Sequence, residues 1–156
     1  MAGMSDIVEL IRADHQRIRD ARQTLLGLAG EHGESARGLA LAVWADLAGL
    51  IEVHADAEEE ICHLSMYGTG PHGLAMIEEA VADLDDIREA LREAALQPPC
   101  STGWWRAVAA ALTRCAEHCD RQERGINADF QQRASCRLRA KLAAQWVAFT
   151  AARRPG

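Results

Sequence analysis

Aromatic side chains are scarce. Only seven of the 156 residues are Phe, Tyr or Trp, and Val, Ile and Thr are few beside Ala and Leu. That shortage argues against a strand-built fold, whose pleated faces favour branched and aromatic residues. Unbranched side chains lose little freedom in a helix, so the apolar 49% points to an all-α chain. A charged fraction of 26% sets it apart from disordered sequences. Basic excess is missing too. The net charge of −6 speaks against nucleic acid as the main partner.

Other features are absent. Met1–Ile11 has acidic residues in its apolar run and no basic leader, so no secretory signal is expected. The longest apolar stretch, Leu39–Ile51, is interrupted by Asp46 and is too short to span a bilayer. The five cysteines (Cys62, Cys100, Cys115, Cys119, Cys136) are odd in number and lack framework spacing. Reduced thiols in a cytoplasmic protein without a membrane partner are the expectation. There is no H-E-x-x-H, no P-loop and no G-x-S-x-G.

Punctuation divides the chain into helices within a single domain spanning 1–156. Ser5 is expected to cap a first helix running to about Ala29, with Ile7, Ile11, His15, Ile18 and Leu25 on its apolar stripe. A second runs from about Ser35 to Leu64 with Leu47, Ile51, His54, Glu58 and Ile61 on one face. Tyr67-Gly68-Thr69-Gly70-Pro71 ends it, and Pro71 suits the first position of a third helix carrying His72, Met76, Ala80, Leu84 and Ile87. Ser101 caps a fourth with Trp104, Val108, Ala111, Cys115 and His118 inward, and Gly125 ends or kinks it. This predicts an up-down-up-down four-helix bundle over about 5–130 and an additional C-terminal helix over about 128–152. That last stretch is basic: no acid follows Asp129, so the final 27 residues carry +6 and the remainder −12. It reads as a solvated face that balances an acidic bundle, or alternatively as an interaction surface.

Histidine is the surplus. His15, His54, His72 and His118 each lie on the apolar stripe of a different helix, and at about 1.5 Å per residue all four fall in the same end of an antiparallel bundle. Glu58 follows His54 by one turn. Glu123 and Gln122 follow His118 by five and four residues. A buried ionised carboxylate needs a cation or strong donors. Imidazole with carboxylate suits iron, manganese or zinc, and two carboxylates among four histidines suggest a bridged metal pair. His32, in a Gly-rich loop, and His63, on the opposite helix face, are set aside. Glu60-Ile61-Cys62-His63 is a lone E-x-x-H where a ferritin-like site needs two. Cys115, His118 and Cys119 lack a second cysteine pair to complete a zinc site.

Asp14-His15 in the first helix, His54-Ala55-Asp56-Ala57-Glu58-Glu59 in the second, His72 opening the third and His118 followed by an acid in the fourth resemble the hemerythrin-like HHE cation-binding family over about Ser5 to Phe130. The resemblance implies a four-helix bundle holding two iron ions, bridged by carboxylate and an oxo or hydroxo group, that reacts with oxygen, peroxide or nitric oxide. Manganese or zinc could substitute. The implied ligands are His15, His54, Glu58, His72 and His118, with Glu123 preferred for the last position because Gln122 replaces the usual glutamate. Met76 stands where oxygen carriers have a second third-helix histidine. Two metals need about twelve donor positions, and about two stay open for water, substrate or an extra ligand such as Glu59, Glu79 or Tyr67. Open positions favour an oxidase, oxygenase or peroxide-decomposing enzyme. The alternative is non-catalytic binding or sensing of oxygen, nitric oxide or iron.

Overall fold

The computed structural model describes residues 3–67 and 70–153. Gly68 and Thr69 of the expected break, and Arg154 of the basic tail, lie outside the described residues. No strand occurs among the described residues. Helix α1 spans Ile7–Leu28 and α2 spans Glu34–Ala57, continuing directly as a π-helical segment, Glu58–Tyr67. Helices α3 (Gly73–Leu96), α4 (Thr102–Arg124), α5 (Ile126–Arg133) and α6 (Cys136–Arg153) follow. The all-α bundle with an extra C-terminal helix is as the composition and the helix punctuation predict.

Helix ends differ from the sequence reading in physically simple ways. Asp6, not Ser5, caps α1, its carboxylate accepting from the Val8 amide at 2.9 Å. Ser101 caps α4 as expected, accepting from the Trp104 amide at 3.1 Å. Pro71 lies in a turn, and α3 starts two residues later behind His72 as N-cap. The expected last helix is two helices. The Ala134 backbone is extended, and the Ser135 hydroxyl accepts from the Leu138 amide to start α6.

Helix α1 packs on α2 and α4, and α3 packs on α4. Helix α6 lies across α1, α2 and the π segment. By length and composition the continuous helix Glu34–Tyr67 could cross a bilayer. Here it is a bundle helix that buries Trp44, Leu47, Ile51, His54 and Glu58.

The apolar interior is in two layers. One holds Ile18, Leu25, Trp44, Leu47, Ile51, Leu84, Leu91, Trp104 and Val108. The other holds Ile7, Ile11, Ile61, Met66, Tyr67, Ile126, Phe130, Leu142 and Trp146. Helix α1 enters the second layer with Ile11 and the first with Ile18, so His15 falls between them. His54 of α2 lies between Ile51 and Ile61 of the π segment, and His118 of α4 lies between Cys115 and Ile126 of α5. His15, His54 and His118 thus form a belt between two apolar layers.

Candidate metal centre

Four side chains from three helices meet in that belt: His15 of α1, His54 of α2, Glu58 at the junction of α2 with the π segment, and His118 of α4. All four are buried, with exposures of 0, 4, 1 and 4%. Glu58 is central. Its Oε1 lies 3.1 Å from His54 Nε2 and its Oε2 lies 3.1 Å from His118 Nε2. Each carboxylate oxygen therefore faces a different imidazole. His15, His54 and Glu58 offer donor atoms that all lie within 4.8 Å of one another.

The outer nitrogens of two rings are anchored by acids. His54 Nδ1 donates to Asp14 at 3.0 Å, and His118 Nδ1 donates to Asp83 at 3.1 Å. Such carboxylate–imidazole pairs fix the tautomer and aim the opposite nitrogen, as around metal-ligating histidines. Asp83 is also held by Arg121. The Trp146 ring of α6 stands edge-on to His54, centroids 5.1 Å apart.

Electrostatics follow from this packing. Burial pushes His54 and His118 down, but the Glu58 charge and bonds to Asp14, Asp83 and Glu58 outweigh it, and each rises to about 9. Burial pushes Glu58 up, yet the flanking His54 and His118 hold it well below the usual carboxylate range. His15 goes the other way. Burial and the neighbouring His54 charge lower it to about 4, so it is neutral at pH 7. Neither His15 ring nitrogen has a hydrogen-bond partner. Its Nδ1 is 3.4 Å from Glu123, outside hydrogen-bond geometry. A fully buried imidazole left unsatisfied costs about 1–3 kcal/mol, which a cation at its lone pair would offset.

The donor chemistry fits iron, manganese or zinc. Cys62, Cys115 and Cys119 are buried and free. Burial raises each thiol, Cys115 to about 12, so all three hold their protons in the metal-free chain.

A sequence profile of the hemerythrin HHE cation-binding domain matches residues 6–134. The chain belongs to that family. No curated protein and no solved structure matches it. The hemerythrin-type match ends between α5 and α6, so Trp146 lies beyond it.

Several expected site residues of this hemerythrin-type bundle lie elsewhere. His72 is exposed, because α3 starts behind it and the ring caps no amide; the expectation of an inward His72 is corrected. Glu59 points to Arg88, with oxygens 2.7 and 3.0 Å from the guanidinium. Glu79 is exposed. Glu123 is paired with Arg19, which holds its carboxyl below the usual range, and it meets the cluster only through His15. Gln122 turns inward, and its amide donates to the Tyr67 hydroxyl at 3.0 Å. His32 is exposed, as expected.

His63 is a second correction. On an α-helix it would face away from His54, but it is 5% exposed, its Nε2 has no partner and its ring stands edge-on to Tyr67 at 5.3 Å. The cause is the π segment. Hydrogen bonding to i+5 adds about one residue per turn, which swings Cys62, His63, Met66 and Tyr67 onto the face that Glu58 starts. Burial lowers His63. Asp14 and Asp83 were also missed as ring anchors. Asp14 stands beside His15 in sequence yet serves His54 across the helix pair.

Asp14→Ala or Asp83→Ala is expected to weaken metal binding about 10- to 100-fold with the fold retained, measured by competition with a chromophoric chelator. Unchanged affinity in both variants would remove the anchoring role.

Proposed function

We propose that this chain is a non-haem di-iron protein of the hemerythrin type that reacts with oxygen, peroxide or nitric oxide at open coordination positions. One observation carries the reading: the Glu58 carboxylate turns one oxygen to each of two imidazoles, each anchored from behind by an acid. A carboxylate placed this way suits two cations, one against each oxygen.

His15, His54 and Glu58 would hold one iron, and His118 with the other Glu58 oxygen would hold the second. When bound, iron would supply Lewis acidity and electron exchange with a small ligand. With iron bound, Asp14 and Asp83 would keep the proton of each neutral ring on Nδ1, leaving the Nε2 lone pairs of His54 and His118 directed inward. The flanking apolar layers exclude water and strengthen every charge interaction in the belt. The five free cysteines support operation in a reducing, cytoplasmic setting.

The test is the aerobically purified protein. About two irons per chain and the near-ultraviolet and visible bands of a bridged ferric pair are expected; a colourless, metal-free protein would sink the reading. Adding oxygen to the reduced protein then separates two modes. A stable, reversible adduct marks binding, and return to the ferric form with consumption of peroxide or an organic substrate marks catalysis.

A further inference from the structure

Resting on the di-iron reading, the geometry points to a hydrogen-bonding clamp, made by Tyr67 and Gln122 beside His118, that takes hydrogen peroxide in preference to ligands without a proton. The two halves of the belt are unlike. On the His54 side, Glu58 meets two histidines and the Trp146 ring closes over His54. On the His118 side, among the described residues, no second histidine bonds to Glu58; His63 is near enough to feel the Glu58 and His118 charges but its Nε2 has no partner. There a cavity of about 220 Å³ adjoins His118, lined also by Tyr67, Met76, Asp83, Arg121 and Gln122.

Two polar groups reach this cavity from the interior. Tyr67 is 4% exposed, and Gln122 is 6% exposed. They bond to each other, but that bond leaves the Gln122 Oε1 buried without a partner. Buried, unsatisfied amide oxygens are rare in folded proteins and call for a ligand or water. With the amide nitrogen donating to the phenol oxygen, the phenol proton and the amide oxygen are both free. Turned over, the amide oxygen accepts the phenol proton, and an amide N–H and a phenol lone pair are free instead. In either state the pair offers at least one donor and one acceptor side by side. Hydrogen peroxide carries both a proton and lone pairs and matches that pairing; oxygen, nitric oxide and azide have no proton to give. A site built to bond a hydroxyl discriminates strongly against analogues lacking it.

The clamp is rigid. His63 packs edge-on against the Tyr67 ring, and the π segment sets Tyr67 on the Glu58 face. Burial and the Glu58 charge both push the phenol up, so it keeps its proton.

The experiment is ligand titration of the iron-loaded wild type, Tyr67→Phe and Gln122→Leu, followed by visible absorption, with iron counted in each. Hydrogen peroxide is read by rapid mixing and azide at equilibrium. Both variants should keep about the wild-type iron content. Each should lose roughly five- to tenfold in peroxide affinity and less than about threefold for azide. Equal losses for both probes, or none, overturn the clamp and leave the di-iron reading standing. Loss of iron or of a charge-transfer band in Tyr67→Phe overturns it too, since Tyr67 would then be a ligand. A wild type that takes up no iron overturns the di-iron reading itself.

Discussion

Glu58→Gln is expected to lower iron content at least tenfold and to destabilise even the metal-free protein. The carboxylate joins both halves of the belt, so its loss removes a donor from each. In the metal-free chain it is also the counter-charge between His54 and His118. Breaking a buried ion pair by removing one partner costs about 3–5 kcal/mol. For a chain of this size that corresponds to a fall in melting temperature of roughly 10 °C. Elemental analysis and calorimetry read the two effects separately. Iron content and melting temperature both at wild-type level would show that Glu58 does not bridge.

The second large effect is on pH. In the metal-free protein, His54 and His118 have native pKa values of about 9 against an ordinary 6.5. A raised native value means that the folded state holds a proton that the unfolded chain has released. The stabilisation is therefore complete below about 6.5 and is lost as pH rises towards 9. His15 has the opposite sign. Its value of about 4 gives stability above 6.5 that is lost as pH falls towards 4. Metal-free protein should therefore be most stable near pH 6.5 and lose several kcal/mol, on the order of 1 kcal/mol per proton per unit, by pH 9. Iron binding needs neutral rings, so the iron-loaded protein should gain stability over that same interval. Denaturant melts from pH 5 to 9 with and without a chelator would record the crossing. Parallel profiles would show that the two rings are not charged in the folded, metal-free state.

How much of this was legible depended on the helical period. His15, His54, Glu58 and His118 lie on ordinary α-helical stripes, and equal depth in an antiparallel bundle is arithmetic on helix rise. The structure brings those four together. His72 failed because its position hinges on where α3 begins, and a helix start near a proline shifts easily by two residues. Gln122 and Glu123 are one position apart, about 100° around the helix. Arg19 draws the acid outward to the rim while the amide stays inside. Nothing in α4 alone announces an arginine from α1. His63 and Tyr67 were hidden for a different reason: the helical wheel used to read them changes period at Glu58.

The position of Trp146 bears on where this protein ends as a working unit. The hemerythrin match closes at residue 134, before α6 begins. Yet α6 supplies the ring over His54, and Arg139 reaches back to Asp6, the residue that starts α1. The stretch recognisable by kinship is thus shorter than the stretch that keeps solvent off the histidine. A fragment cut at the family boundary would keep every donor atom and lose its roof.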